Sequence, residues 1–218
     1  MDFANKIGEA LLSYALFIPL LTFHEWAHAW TAWKLGDDTA YQRGRVSLNP
    51  IVHMELLGTV ILPLLGVLSG AMGAGIGILG WGKPVPVNPN NLKNPRSYDS
   101  LIAMAGPAMN VLLAVILMAV VKVASLMHLP WLVEISFRTA MISLLLCFFN
   151  LLPVPPLDGS HLWMNAVKMS PETYYRLARY GFFALIILIQ FQPVWNVIMG
   201  LVIGTMGLLM RLFGVSVE

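Results

Sequence analysis

From residue 101 to residue 121 this chain carries no charged side chain, and comparably apolar stretches occupy 11–32, 56–82, 139–157 and 174–212. A helix needs about 20 apolar residues to cross the hydrocarbon of a bilayer, and in lipid every backbone polar group has to be satisfied within the protein. The spacing therefore predicts an all-α polytopic membrane protein. Composition excludes the other classes: 58% of residues are hydrophobic and 11% charged, too apolar for a disordered chain, and a net charge of +2 is too small for nucleic acid or another polyanionic partner. The one cysteine, Cys147, lies inside an apolar run and has no intrachain partner. The start Met1-Asp2-Phe3 lacks a basic segment ahead of its apolar stretch, so no removable signal peptide is expected.

The stretches 11–32, 101–121 and 139–157 each suit one span, and 174–212 is long enough for two, with Gln190, Gln192 and Pro193 at the turn. That makes about five transmembrane helices. The stretch 56–82 stands apart, because it contains Pro63 and glycines at 58, 66, 70, 73, 75, 77, 80 and 82. It is read as a re-entrant or hairpin segment. Most of the charge falls in the connections 34–55, 83–99 and 168–179, while 128–137, with Trp131, suits the membrane interface. Val46-Ser47-Leu48 predicts a short β-like segment after the first helix. No polar segment approaches the ~50 residues of a small soluble domain, so residues 1–218 read as a single membrane-embedded domain.

Within the first apolar run stands His24-Glu25-Trp26-Ala27-His28, an H-E-x-x-H. Residues i and i+4 share one face of a helix, so both imidazoles can meet one metal while Glu25 sits one residue round from His24. A carboxylate in the middle of a membrane helix costs about 2.5 to 3.5 kcal/mol on insertion scales, and it marks a partner and a task. The plainer alternative is a polar cluster that holds helices together. A catalytic zinc takes three protein ligands and leaves a position to water, so two histidines are one ligand short. The candidates are His53, Asp158, His161 and, further off, Asp99 and His128. Asp158 is favoured because it follows the break Leu152-Pro153-Val154-Pro155-Pro156-Leu157, and unwound backbone at membrane depth is tolerated where it lines a cavity. Its other reading is a helix N-cap for the segment that begins Gly159-Ser160-His161.

Three motifs in order, His24-Glu25-x-x-His28, then Ala105-Gly106-Pro107-Ala108-Met109-Asn110, then the run from Asn150 through Pro153, Pro155 and Leu157 to Asp158-Gly159, resemble the site-2 protease family of intramembrane zinc metalloproteases. Smaller matches are Gly44-Arg45, Leu48-Asn49-Pro50 and Gly58-Thr59, and the resemblance spans nearly the whole chain. It implies hydrolysis of a peptide bond in or near a transmembrane segment of a membrane protein substrate. It also implies zinc held by His24, His28 and Asp158, water activated by Glu25, and Asn110 and Asn150 facing the site. The PDZ or CBS domain that many relatives carry has no counterpart here, so the resemblance is to a minimal member. Asn110 or Asn150 suits a hydrogen-bond donor to a developing oxyanion, with interhelical bonding the alternative for Asn110. His161 reads as an interfacial histidine, and His53 receives no catalytic role.

Ligation of one metal requires His24, His28 and Asp158 at one depth, near the ends of the first and fourth apolar runs. Those helices then run in the same direction, with 101–121 as the crossing between them. On that reading Lys34, Arg43, Arg45, Lys83, Lys93, Arg96, Lys168, Arg176, Arg179 and Arg211 share one face, leaving Lys6, Lys122 and Arg138 on the other. The positive-inside rule makes the first face cytoplasmic, so a multi-pass protein of the cell membrane is expected, with its site towards the cytoplasm. Two rival readings are a membrane metal-ion transporter, whose acids would be strung through several spans, and a non-proteolytic scaffold, which would have lost Glu25 or a ligand.

Overall fold

The computed structural model describes residues 3–71 and 80–215. Helix α1 (Phe3–Lys34) has 32 residues, about 48 Å at 1.5 Å per residue, and so outruns the ~30 Å hydrocarbon layer. Lys34 in its last turn suits the negative end of the helix dipole. Beyond it a single turn, α2 (Thr39–Gln42), is organised by the fully buried Asp37. Its carboxylate accepts from the Thr39 N–H and hydroxyl at 3.1 and 2.5 Å, the Asn88 N–H at 2.7 Å and the Asn91 amide at 2.8 Å. Burial pushes this carboxyl up, but the hydrogen bonds outweigh it and hold Asp37 below the usual carboxylate range. Asp37 thereby ties the connection 34–55 to the connection 83–99.

Glu55 caps a π turn, Leu56–Ile61, by accepting from the Gly58 N–H, and the turn continues into α3 (Leu62–Ala71). The Trp81 N–H donates to the Gly58 carbonyl at 3.2 Å, so the two ends of the stretch 56–82 lie side by side. Residues 72–79, with three of the eight glycines on which the re-entrant or hairpin reading of that stretch rests, are outside the described residues. After a non-helical run from Gly80 and a 3-10 turn, Pro89–Asn91, come α4 (Pro95–Leu126) and α5 (Pro130–Asn150), each opening on a proline where the missing N–H has no helical partner to lose. The chain ends in α6 (Asp158–Ala166), α7 (Pro171–Ile189), capped by Ser170, and α8 (Gln192–Phe213), stopped by Gly214 in the left-handed region.

Contacts fix the directions of the core helices. Glu9 and Ser13 of α1 bond Arg138 of α5, and Phe17, Leu20 and Leu21 pack on Leu146, so α1 and α5 run parallel. His28 meets Ile102 and His24 meets Asn110, so α4 runs against them. The larger core joins Ala114, Met118 and Val121 of α4 to Ala140 and Leu144 of α5 and to Ile198, Val202 and Met206 of α8. Ala114 and Ala140 have no exposed surface. Small residues of this kind let helices approach closely, which matters where lipid is as apolar as leucine and supplies no hydrophobic drive.

Four helices, α1, α4, α5 and α8, are long and apolar enough to cross a membrane. The fifth expected span, α7, is not among them: Glu172, Arg176 and Arg179 occupy its first half and leave its apolar part short. No strand occurs among the described residues. At Val46-Ser47-Leu48 local bonds take the groups a strand would pair, since His53 Nε2 donates to the Ser47 carbonyl at 2.7 Å and the Ser47 hydroxyl accepts from the Asn49 N–H at 3.1 Å.

Candidate metal centre

Both histidines of the H-E-x-x-H are buried on α1, with ring centroids 4.7 Å apart. The wall behind them is α4. At Gly106 any Cβ would run into His28 Nε2 and come within 2.6 Å of the His24 ring, so only glycine leaves room for two imidazoles. His28 donates from Nδ1 to the Ile102 carbonyl at 2.6 Å, which leaves Nε2 as a bare lone pair. The Asn110 amide lies 3.0 Å from His24 Nδ1, and its Oδ1 is a buried atom without a partner. The two ends of an amide are alike in shape, and turning Asn110 lets Oδ1 accept from Nδ1–H, which relieves the orphan and frees His24 Nε2. The Ser143 hydroxyl of α5 donates to the main-chain carbonyl of Asn110 at 2.8 Å and holds the backbone behind this amide.

Asp158 arrives from the far side, at the first position of α6. Its Oδ2 lies 3.1 Å from His24 Nε2 and its Oδ1 3.3 Å from His28 Nε2, while the two Nε2 atoms are 3.1 Å apart. It is not an N-cap: the residue at that position is Leu157, and no side chain caps α6. With both Nδ1 atoms protonated, the centre is a ring of lone pairs that repel one another unless a cation sits among them. Tetrahedral zinc at 2.0–2.1 Å from its ligands sets them about 3.3 Å apart, so the donor set fits zinc in kind, number and spacing. Among the described residues His24, His28 and Asp158 form the one such group.

Glu25 lies beside this ring and under a strap of chain. Gly82 is buried against it, and a Cβ there would come 2.8 Å from Glu25 Oε1. The strap is pinned at several points: Arg45 donates to the carbonyls of Lys83 and Pro84 at 2.5 and 3.2 Å, and the Lys83 N–H donates to the His53 carbonyl at 2.8 Å. Trp81 is held through its indole N–H on Glu55 at 2.7 Å and its carbonyl on the Thr59 hydroxyl at 2.7 Å. Burial keeps the His53 imidazole below its ordinary range, so it sits neutral beneath the strap.

The other sequence candidates lie elsewhere. Asn150 turns its amide back onto the Leu146 carbonyl of α5 at 2.9 Å. His53 is buried, bonded to Ser47 and not part of the group of His24, His28 and Asp158. His161 is paired with Asp99 at 3.1 Å, and His128 lies just past the end of α4, remote from Asn110 at its middle and Ile102 towards its other end. Asp99, a more distant ligand candidate in the sequence, is instead bonded to His161 and Asn165. The parts played by Gly82, Arg45 and the Ile102 carbonyl escaped the sequence reading: the carbonyl leaves no trace in side-chain identity, and the other two stand in polar connections where glycine and arginine are ordinary.

A model of peptidase family M50 matches residues 122–189. Among curated proteins the chain is 34% identical to "Putative zinc metalloprotease YwhC" of Bacillus subtilis, over 82% of this chain and 81% of that one. It is 30% identical to "Putative zinc metalloprotease Rip2" of Mycolicibacterium smegmatis, over 85% and 69%, and 31% identical to the Rip2 of Mycobacterium tuberculosis strain Erdman, over 96% and 76%. No solved structure matches the chain.

Proposed function

Since the chain belongs to peptidase family M50, the site-2 proteases, and is a membrane zinc metalloprotease, we propose that it hydrolyses a peptide bond in or near a transmembrane segment of a membrane protein. The observation that carries this reading is the ring of His24, His28 and Asp158 donor atoms closing beside Glu25. Zinc, when bound, lowers the pKa of a water to about 7 and polarises a carbonyl. Glu25 takes the proton of the attacking water at a side-chain oxygen and passes it to the leaving amine. Asn110 and the Ile102 carbonyl keep both imidazoles in the tautomer that presents Nε2. Asn110 thus acts on His24, and Asn150 takes the part of a donor to the developing oxyanion once its amide swings off Leu146.

The basic connections that meet at the metal end, with Lys34, Arg43, Arg45, Lys83, Lys93 and Arg96, support a site facing the cytoplasm across the cell membrane. Residues 1–218 act as one membrane-embedded domain, and the stretch 56–82 returns to the face it left. Labelling of cysteines placed at Ser47 and Asn90 tests the orientation and the return of 56–82, because the two positions should react from the same, cytoplasmic face. A metal-ion transporter fits less well, since the acids converge on one depth.

Removal of a ligand tests the chemistry. His28→Ala and Asp158→Ala should lose zinc, whereas stoichiometric zinc retained in Asp158→Ala after chelator washing would end the assignment.

A further inference from the structure

Resting on the reading of His24, His28 and Asp158 as zinc ligands, we propose that Asp99 is a positioning residue for Asp158, acting through His161 and Asn165 of α6. The two histidines ride on a helix of 32 residues. Asp158 instead opens a helix of 9 residues that follows the irregular run 151–157. A helix that short is marginal by itself, so its place is set by its neighbours. Gly159 lies directly on the Leu151 and Leu152 carbonyls, with room for no Cβ. The Ser160 hydroxyl donates to the Leu157 carbonyl at 2.6 Å and pairs with the Tyr174 hydroxyl at 2.9 Å. His161, three residues past Asp158 and on the same face, presents Nδ1 at 3.1 Å from Asp99 Oδ2, and Asn165 donates to the same carboxylate at 2.7 Å and to Ser100 at 3.1 Å.

Both side-chain links to the Asp99 carboxylate come from α6, and Asp99 sits one turn before Ile102 on α4. One rigid helix therefore locates all three ligands: Ile102 holds His28, Asn110 holds His24, and Asp99 holds the helix that carries Asp158. A carboxylate suits the position because both partners reach it with N–H groups.

The test uses the full chain in detergent or nanodiscs, with zinc affinity measured by chelator competition and the visible spectrum of the cobalt-loaded protein. Asp99→Ala should raise the zinc Kd by up to about tenfold, the low end of what loss of a group bonded directly to a ligand does, and shift the cobalt bands. Asp99→Asn, which keeps an accepting oxygen at the same place, should recover most of the affinity. Arg138→Ala, at the far end of α5, should lower thermal stability and leave both readouts unchanged. An Asp99→Ala protein with wild-type Kd and cobalt spectrum would overturn the proposal, as would an equal loss of affinity in Arg138→Ala. If Asp99→Ala does not fold, Asn165→Ala decides on the same criteria. Zinc binding unchanged by His28→Ala would remove the metal centre itself, whereas dependence on His28 without dependence on Asp99 removes this inference alone.

Discussion

At the metal end of the α1–α4–α5 core, buried polar side chains bond to other helices: His24 to Asn110, His28 to the Ile102 carbonyl, Ser143 to the main-chain carbonyl of Asn110. At the opposite end Arg138 bridges Glu9 and Ser13, with side chains 27% and 51% exposed for the arginine and the glutamate, and Lys122 donates to the Gly214 carbonyl at the surface. Between the two, α4, α5 and α8 are joined by alanine, methionine and branched aliphatics. The same helices thus use buried polar contacts where geometry must be fixed and apolar contacts where only proximity is needed. Substitutions at the metal end should cost metal or rate, and those at the far end should cost stability.

The strongest way to break this contrast is Glu25→Gln. Glutamine keeps the shape of glutamate but accepts no proton near neutral pH, so hydrolysis of a membrane substrate should fall by about 10² to 10⁴ while zinc stays bound. A mutant that cuts at close to the wild-type rate would show that Glu25 is not the base. Next comes Gly106→Ala, where one methyl group must push both imidazoles aside. Overpacking of this kind costs about 1 to 3 kcal/mol, so zinc affinity should drop by about ten- to a hundredfold with the helices still formed by circular dichroism. Asn110→Ala disturbs one histidine only, and about a tenfold loss of zinc affinity is expected; wild-type affinity would mean that the amide does not set the His24 tautomer.

Arg138→Ala sharpens the comparison from the other side. A half-exposed ion pair contributes up to about 1 kcal/mol, so the thermal midpoint should fall slightly while kcat/KM holds, and a large loss of activity would erase the distinction between the ends. The smallest effect is a pH dependence of the connections. Asp37 and His53 both have folded-state pKa values below their ordinary ones, so their stabilising effect is complete above the unfolded values and drains away as pH falls. Proteolytic protection of residues 34–55 should weaken on acidification before the helical core responds, and His53→Gln should flatten the part of that curve nearest neutrality.

The long helices and the meeting of His24, His28 and Asp158 were legible because each has a signal that survives in one dimension. Charge-free runs mark spans, H-E-x-x-H declares its own face, and Asp158 stands alone after a proline-rich break. The strap over Glu25 was not legible, because its hold depends on carbonyls of Lys83 and Pro84 that Arg45 reaches from a distant connection. Nor was the role of Asp99, since an aspartate near the start of a membrane helix looks like any interfacial charge until α6 folds onto it. The β-like reading of 46–48 failed for a related reason: a strand needs a partner, and His53 takes the carbonyl first. For α7, three charged residues in the leading half keep it out of the helices long and apolar enough to cross a membrane, a matter of where the charges fall within an otherwise apolar stretch.

Chain order gives the reliance on α4 a consequence in time. A nascent polypeptide that has inserted α1 already exposes two imidazoles and a glutamate to the bilayer, with no wall behind them and no third donor. The wall arrives with α4, and Asp158 is made only after α5 has followed. On the proposed ligand set, a chain that has not reached Asp158 lacks its third donor, so the complete site exists only late in synthesis.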